Sequence, residues 1–150
     1  ARGYAYSYDM LGEAARTEAD ARRYQDAYAK AIEAIGKGCK GQDIKANPGI
    51  SVKLSALHPR YEESQRDSVM RELVGRVTQL ARMAAKRGMG FNIDAEEQDR
   101  LVLSRDVIAA VLTDPALEGW DGFGVVVQAY GPRAGAMIEA VAGAGFHDTG

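Results

Sequence analysis

The chain has 150 residues, enough for one domain with its own core. A formal net charge of −2 gives no electrostatic case for nucleic acid, which would call for a basic face. No apolar run approaches the roughly 20 residues needed to span a bilayer, so no membrane-crossing helix is expected.

The sequence opens at Ala1-Arg2-Gly3-Tyr4, without an initiator Met or a signal-peptide pattern, and is expected to be a piece of a longer chain. The first strand is predicted over about Tyr4 to Met10, its small and polar face carrying Ala5, Ser7 and Asp9. Tyr4, Tyr6 and Tyr8 alternate with that face and are expected to pack under helices. Thr17-Glu18-Ala19-Asp20 then resembles a capping box with Asp in place of Glu. Behind it, Tyr24, Tyr28, Ile32 and Ile35 form one helical stripe, with Gly36 suited to the C-terminal cap. A loop rich in Gly and Lys follows and holds the single cysteine, Cys39. With no activating partner in view, it reads as an incidental thiol.

The second strand, about Ile50 to Leu57, has Lys53 in the middle of an apolar run. An ammonium carried toward a core is costly unless it is paired or used. His58 follows in a loop, where anchoring by a hydrogen bond is weighed above an acid-base role. The second helix carries Val69, Leu73, Val77, Leu80 and Ala84 on its apolar stripe. Arg71, Glu72, Arg76, Arg82 and Lys86 are expected to face water, and Gly88 ends the helix. Strand three is predicted over about Gly90 to Ala95. The next helix runs from about Glu97 to Thr113, burying Leu101, Ile108, Val111 and Leu112, and Asp114-Pro115 stops it. Strand four covers about Phe123 to Tyr130. A last helix near Pro132 would carry Met137, Ile138 and Val141, while the tail from Ala144, with His147, carries no pattern.

Strand-helix alternation with apolar strands predicts an α/β fold with a parallel sheet. Lys53, Asp94 and Gln128 lie 41 and 34 residues apart, as successive βα units would place them. Two architectures fit: an open doubly wound sheet, or part of a (βα)8 barrel. Asp9-Met10-Leu11-Gly12-Glu13 stands where a dinucleotide fold would need its glycine-rich turn, which favours the partial barrel of about four units.

Period-two alternation puts Ser51, Lys53 and Ser55 on one face of strand two. Asn92, Asp94 and Glu96 share a face of strand three, and Gly124, Val126, Gln128 and Tyr130 one of strand four. Small and polar groups on inward faces imply a ligand-lined cavity rather than a closed core. Lys53 and Asp94 would pair across neighbouring strands, either fixing register or receiving a substrate carboxylate, with an amine nucleophile as a further option. Gln128 carries both donors and an acceptor, suiting the edge of a heteroaromatic cofactor. Glu97 is assigned to helix N-terminal electrostatics, and no histidine joins the carboxylates in a metal-ligand pattern.

Four segments taken together carry a resemblance: Tyr6 to Ala15, Gly49 to Tyr61, Asn92 to Leu101 and Gly122 to Tyr130. They resemble, in order, the proline dehydrogenase domain of bacterial proline utilization A, with similarity from about Tyr4 to Ile138. The resemblance implies a distorted (βα)8 barrel with noncovalent FAD that oxidises L-proline to Δ1-pyrroline-5-carboxylate by hydride transfer to flavin N5. It also implies a membrane quinone as electron acceptor and a cytoplasmic setting, with peripheral contact at the inner membrane. By the same resemblance Lys53 pairs with the proline carboxylate, Asp94 sits beside the flavin, and Ala95, Val126 and Gln128 line the cofactor. Glu13 matches a glutamate that gates the pocket by pairing with a substrate-binding arginine. Ala95 falls on the opposite face of strand three and fits only if the strand end turns. The family's later arginine-bearing motifs have no counterpart here, so the isolated chain is expected to retain FAD poorly and to be inactive. A Schiff-base lyase using Lys53 and a non-catalytic interaction domain stand as alternatives.

Overall fold

A computed structural model describes residues 5–143. Four strands and four helices alternate: β1 Ser7–Asp9, α1 Glu18–Gly36, β2 Gly49–Val52, α2 Arg66–Lys86, β3 Gly90–Ile93, α3 Leu101–Leu112, β4 Phe123–Val125 and α4 Ala134–Gly143. The strands are all parallel and lie in the order β1-β2-β3-β4. Spatial order therefore follows chain order, with no reversal to make the crevice of a doubly wound sheet. The architecture is α/β, a run of successive βα units of (βα)8-barrel type.

The helices form because their apolar stripes meet the sheet. Val69, Leu73, Val77, Leu80 and Ala84 of α2 are all fully buried, as their spacing predicts. Tyr28 and Ile32 of α1 join them over Ile50, Val52, Phe91 and Ile93. Register sets Phe91 opposite Phe123, their rings 5.8 Å apart. The Thr17–Asp20 capping box is present, the Thr17 hydroxyl accepting from the Asp20 amide at 3.1 Å. Helix α2 closes on a Schellman motif: the Gly88 amide donates to Ala85 O and the Met89 amide to Ala84 O. Gly88 has φ +62°, and a Cβ there would lie 2.8 Å from Gly41 O.

Several expectations need correction. All four strands are shorter than predicted, the ladder ending at Asp9, Val52, Ile93 and Val125. After Val52 a 3₁₀ turn, Leu54–Ala56, replaces the second half of strand two. Tyr6 and Tyr8 are 64% and 50% exposed rather than packed under helices, since α1 packs on α2 and β2. Gly36 is the last residue of α1 and not a left-handed cap. Its missing side chain instead makes room for the Arg87 stem, which a Cβ would meet at 2.8 Å. Arg76 does not face water: it is half-buried and donates to Leu57 O at 2.7 Å.

In α3, Leu103, Val107, Ile108 and Val111 are buried, while Leu101 and Leu112 are only partly so. That helix is apolar on most sides, so packing on α2, not periodicity, selects its inner face. Ile138 of α4 is 54% exposed, although Met137 is buried. The Tyr4 start of strand one, the Val141 side chain and His147 lie outside the described residues.

Candidate functional site

The second face of the sheet is polar and only half-buried. Ser51 and Asn92 sit on it, and Gly124 opposes Asn92 in register. A Cβ on Gly124 would fall 2.1 Å from Asn92 Oδ1, so the amide crosses to β4 only because that position is glycine. Lys53 and Asp94 each follow the last residue of a strand, at the carboxyl ends where barrel sites are built.

Two backbone bonds fix these ends. The Lys53 amide donates to the buried Tyr28 hydroxyl at 3.2 Å, and the Asp94 amide to Val52 O at 3.0 Å. The Lys53 ammonium then meets Asp9 Oδ1 and Oδ2 at 2.9 and 3.0 Å, and Asp94 Oδ2 at 3.1 Å. Two carboxylates thus flank the ammonium, Asp9 hydrogen-bonded through both oxygens and Asp94 ion-paired. The Asp9 hydrogen bond, with help from Asp94, holds the amine well above its ordinary lysine range even though burial pulls the other way. Asp94 is enclosed at 21% exposure, whereas Asp9 is open at 55%. An incoming anion would displace Asp9 more readily than Asp94.

Lys53 opens onto a cleft of about 450 Å³ whose walls include Glu13, Ala95 and Gln128. A smaller adjoining cavity of about 30 Å³ is lined by Asp94 and Val126, and it shares Ala95 and Gln128 with the cleft. Every site residue named from the sequence is therefore on one of two connected walls. Ala95 reaches it because β3 ends at Ile93, after which strict alternation no longer applies.

The amides near Gln128 suit a heteroaromatic edge. Gln128 Oε1 accepts from Gln98 Nε2 at 3.4 Å, leaving its own NH₂ without a partner among the described residues. Gln98 Oε1 is buried and unpaired, which is costly unless a donor arrives. An unused donor beside an orphaned acceptor complements the alternating carbonyl and N–H groups of a flavin pyrimidine ring, so the residues present fit such a group.

Three participants were missed. Asp9 falls on the polar face of strand one by alternation, and only the structure joins it to Lys53. The signal existed, because register sets Asp9 beside Ser51, two residues before Lys53. The Tyr28 hydroxyl was hidden within an apolar stripe. Glu96 folds back so that its Oε2 accepts from the Ser55 amide at 3.0 Å, and burial holds its carboxyl above the ordinary range. Glu97 pairs with Arg100 at 3.2 Å.

His58 anchors its loop: Nδ1 accepts from the Arg60 amide at 3.1 Å, and Nε2 lies 3.4 Å from Ser68 Oγ. Burial keeps the ring below the usual histidine range, favouring the neutral form. Burial likewise raises the Cys39 thiol, so nothing here activates it.

Parallel βα units with a cation, carboxylates and amides gathered at the carboxyl ends of the strands place the chain in the class of (βα)8-type barrels. The sequence profile of the family described as proline dehydrogenase matches residues 1–145. The chain belongs to that family. It is 51% identical over 138 residues to the bifunctional protein PutA of Escherichia coli K12, covering 92% of this chain and 10% of that protein. Against the PutA of Rhizobium meliloti it is 50% identical over 140 residues, covering 93% and 11%. A crystal structure of a Bradyrhizobium japonicum proline utilization A variant superposes with a TM-score of 0.90 at 59% identity, covering 93% of this chain and 14% of that one. The chain therefore spans about a tenth of the length of these curated relatives. Bdellovibrio bacteriovorus proline utilization A, at 22% identity and a TM-score of 0.81, shares the fold.

Proposed function

We propose that this chain forms part of the barrel of an FAD-dependent proline dehydrogenase that oxidises L-proline to Δ1-pyrroline-5-carboxylate. The observation that carries this reading is the Lys53 ammonium facing the cleft that Gln128 and Glu13 also line. Family membership supplies the reaction class.

Lys53 receives the proline carboxylate, with the exposed Asp9 giving way while Asp94 keeps the amine charged and oriented. Glu13, on the β1–α1 loop at the cleft wall, gates entry. Gln128, Ala95 and Val126 would hold the cofactor, with Gln98 hydrogen-bonded to Gln128. Bound FAD supplies the hydride acceptor, N5, and the onward path of electrons to a membrane quinone. The protein's part is to hold the proline ring flat and close, which lowers the entropic share of the barrier.

A cytoplasmic setting with peripheral contact at the inner membrane belongs to the same proposal. Among the described residues no helix is long and apolar enough to cross a membrane. The 150 residues alone are proposed to hold FAD poorly and not to turn over proline. β1 and β4 each have an outer edge with no strand partner among the described residues, which disfavours a stable isolated site.

The Schiff-base alternative needs a neutral amine, and two carboxylates on Lys53 oppose that. The test is purification of the full polypeptide containing this chain, followed by a proline-dependent assay with a soluble quinone analogue. A yellow protein with turnover that Lys53→Met and Gln128→Ala each reduce supports the reading. A colourless protein, with borohydride trapping a carbonyl compound on Lys53, overturns it.

A further inference from the structure

The β1–α1 loop carrying Glu13 holds an unusual backbone conformation. Ala14 has φ 54°, in the left-handed region, and is the single non-glycine residue with positive φ among the described residues. Gly12, with φ 125°, lies against the Tyr24 ring, where a Cβ would come within 2.5 Å of Cε1. A short loop with two such positions needs outside contacts to stay in place.

Those contacts converge on Ser55. The Ala14 amide donates to Ser55 Oγ at 3.1 Å, and the Ala15 amide to Ser55 O at 2.9 Å. Ser55 is itself buried, in the 3₁₀ turn after Lys53. Its amide donates to Glu96 Oε2 at 3.0 Å. The Glu96 carboxyl thus holds the Ser55 backbone, and Ser55 in turn offers its hydroxyl oxygen and its carbonyl to the Ala14 and Ala15 amides, a relay from the end of β3 to the loop.

The spacing ties the relay to the site. Ser55 lies two residues after Lys53, and Glu96 two residues after Asp94. The strand ends that carry the ion pair therefore also carry the two halves of the relay. All four side chains and Glu13 lie on the walls of the cleft and its adjoining cavity.

We propose that Ser55 and Glu96 are positioning residues, a clamp that holds the β1–α1 loop and sets where Glu13 stands relative to Lys53. Resting on the proline dehydrogenase reading, the clamp governs access of the zwitterionic substrate and not the hydride step. Loosening it changes how substrate enters and is held before chemistry, while Lys53, Asp94 and the cofactor wall stay in place.

The test uses the FAD-loaded full polypeptide containing this chain, with Ser55→Ala and Glu96→Gln. Hydrogen exchange over residues 11–15 should quicken by about tenfold in Ser55→Ala, the loss of one hydrogen bond, while peptides from β2 and β3 keep their protection. Glu96→Gln retains an oxygen acceptor for the Ser55 amide, so its exchange should stay within about threefold of the parent. For proline, KM should rise by about five- to tenfold in Ser55→Ala with kcat within about twofold. Unchanged exchange over 11–15 in Ser55→Ala overturns the clamp. Quickened exchange with KM unchanged overturns its part in substrate handling. If the parent polypeptide shows no proline turnover, the functional reading fails, and the exchange measurement still decides the clamp.

Discussion

Replacing Lys53 with Met removes the cation and keeps most of the side-chain stem. Three contacts disappear, at 2.9 and 3.0 Å to Asp9 and 3.1 Å to Asp94. The Asp9 contribution is small, about 0–1 kcal/mol, because that carboxylate is 55% exposed. Asp94 is left half-enclosed without a partner, but the desolvation of Lys53 itself is recovered, so the stability loss should total about 1–2 kcal/mol. Substrate binding loses more. A charge-assisted hydrogen bond to a carboxylate contributes about 1.5–3 kcal/mol, which is roughly 10- to 150-fold in affinity. Urea unfolding measures the first quantity, and steady-state kinetics with proline the second. Pyrrolidine, which has no carboxylate, provides the control: any turnover of it should fall far less than that of proline. Equal losses for the two amines, or a loss of stability alone, would refute the assignment of Lys53 as carboxylate receiver.

Asp9→Ala should free an ammonium hydrogen and remove a competing anion, tightening binding of a small carboxylate inhibitor by up to about tenfold in calorimetric titration. Unchanged or weaker binding counts against displacement of Asp9. His58 is held below the ordinary histidine range by burial, so the fold favours its neutral ring. Its contribution is complete above about pH 6.5 and is lost as pH falls through the depressed folded-state value. Thermal unfolding of His58→Gln should accordingly depend less on pH between about 6.5 and 5 than that of the parent. Gly88→Ala should destabilise by about 1–3 kcal/mol in chemical denaturation, because φ is +62° and Gly41 O blocks the new carbon.

Helix placement was largely legible, because a capping box and an unbroken stripe such as Val69 to Ala84 are local patterns that burial of one face converts into structure. Gly88 was legible as a stop for the same reason. Gly36 was misread, since Lys37 after it keeps right-handed helical geometry and the need for glycine comes from Arg87, fifty-one residues away. Alternation located Lys53 and Asp94 on one face because both lie within a residue of a strand. It had less to say past the strand ends, where Ala95 and Ser55 follow turns set by hydrogen bonds to other segments. Strand length itself was overestimated, because apolar content continues through Leu57 and Tyr130 while the ladder stops at Val52 and Val125.

The sequence by itself determined the alternation of strands and helices, the parallel α/β class, and the identity of a buried-strand lysine, an aspartate and a glutamine as the residues to watch. Periodicity and composition act over a few residues, and that range suffices for those statements. Only the tertiary structure decided that Asp9 shares Lys53 with Asp94, that Tyr28 caps the strand end, and that Ser55 and Glu96 together hold the loop bearing Glu13. Each of those contacts joins residues 25 to 44 positions apart. Such pairs exist only once helix packing has brought the strand ends to one side of the sheet.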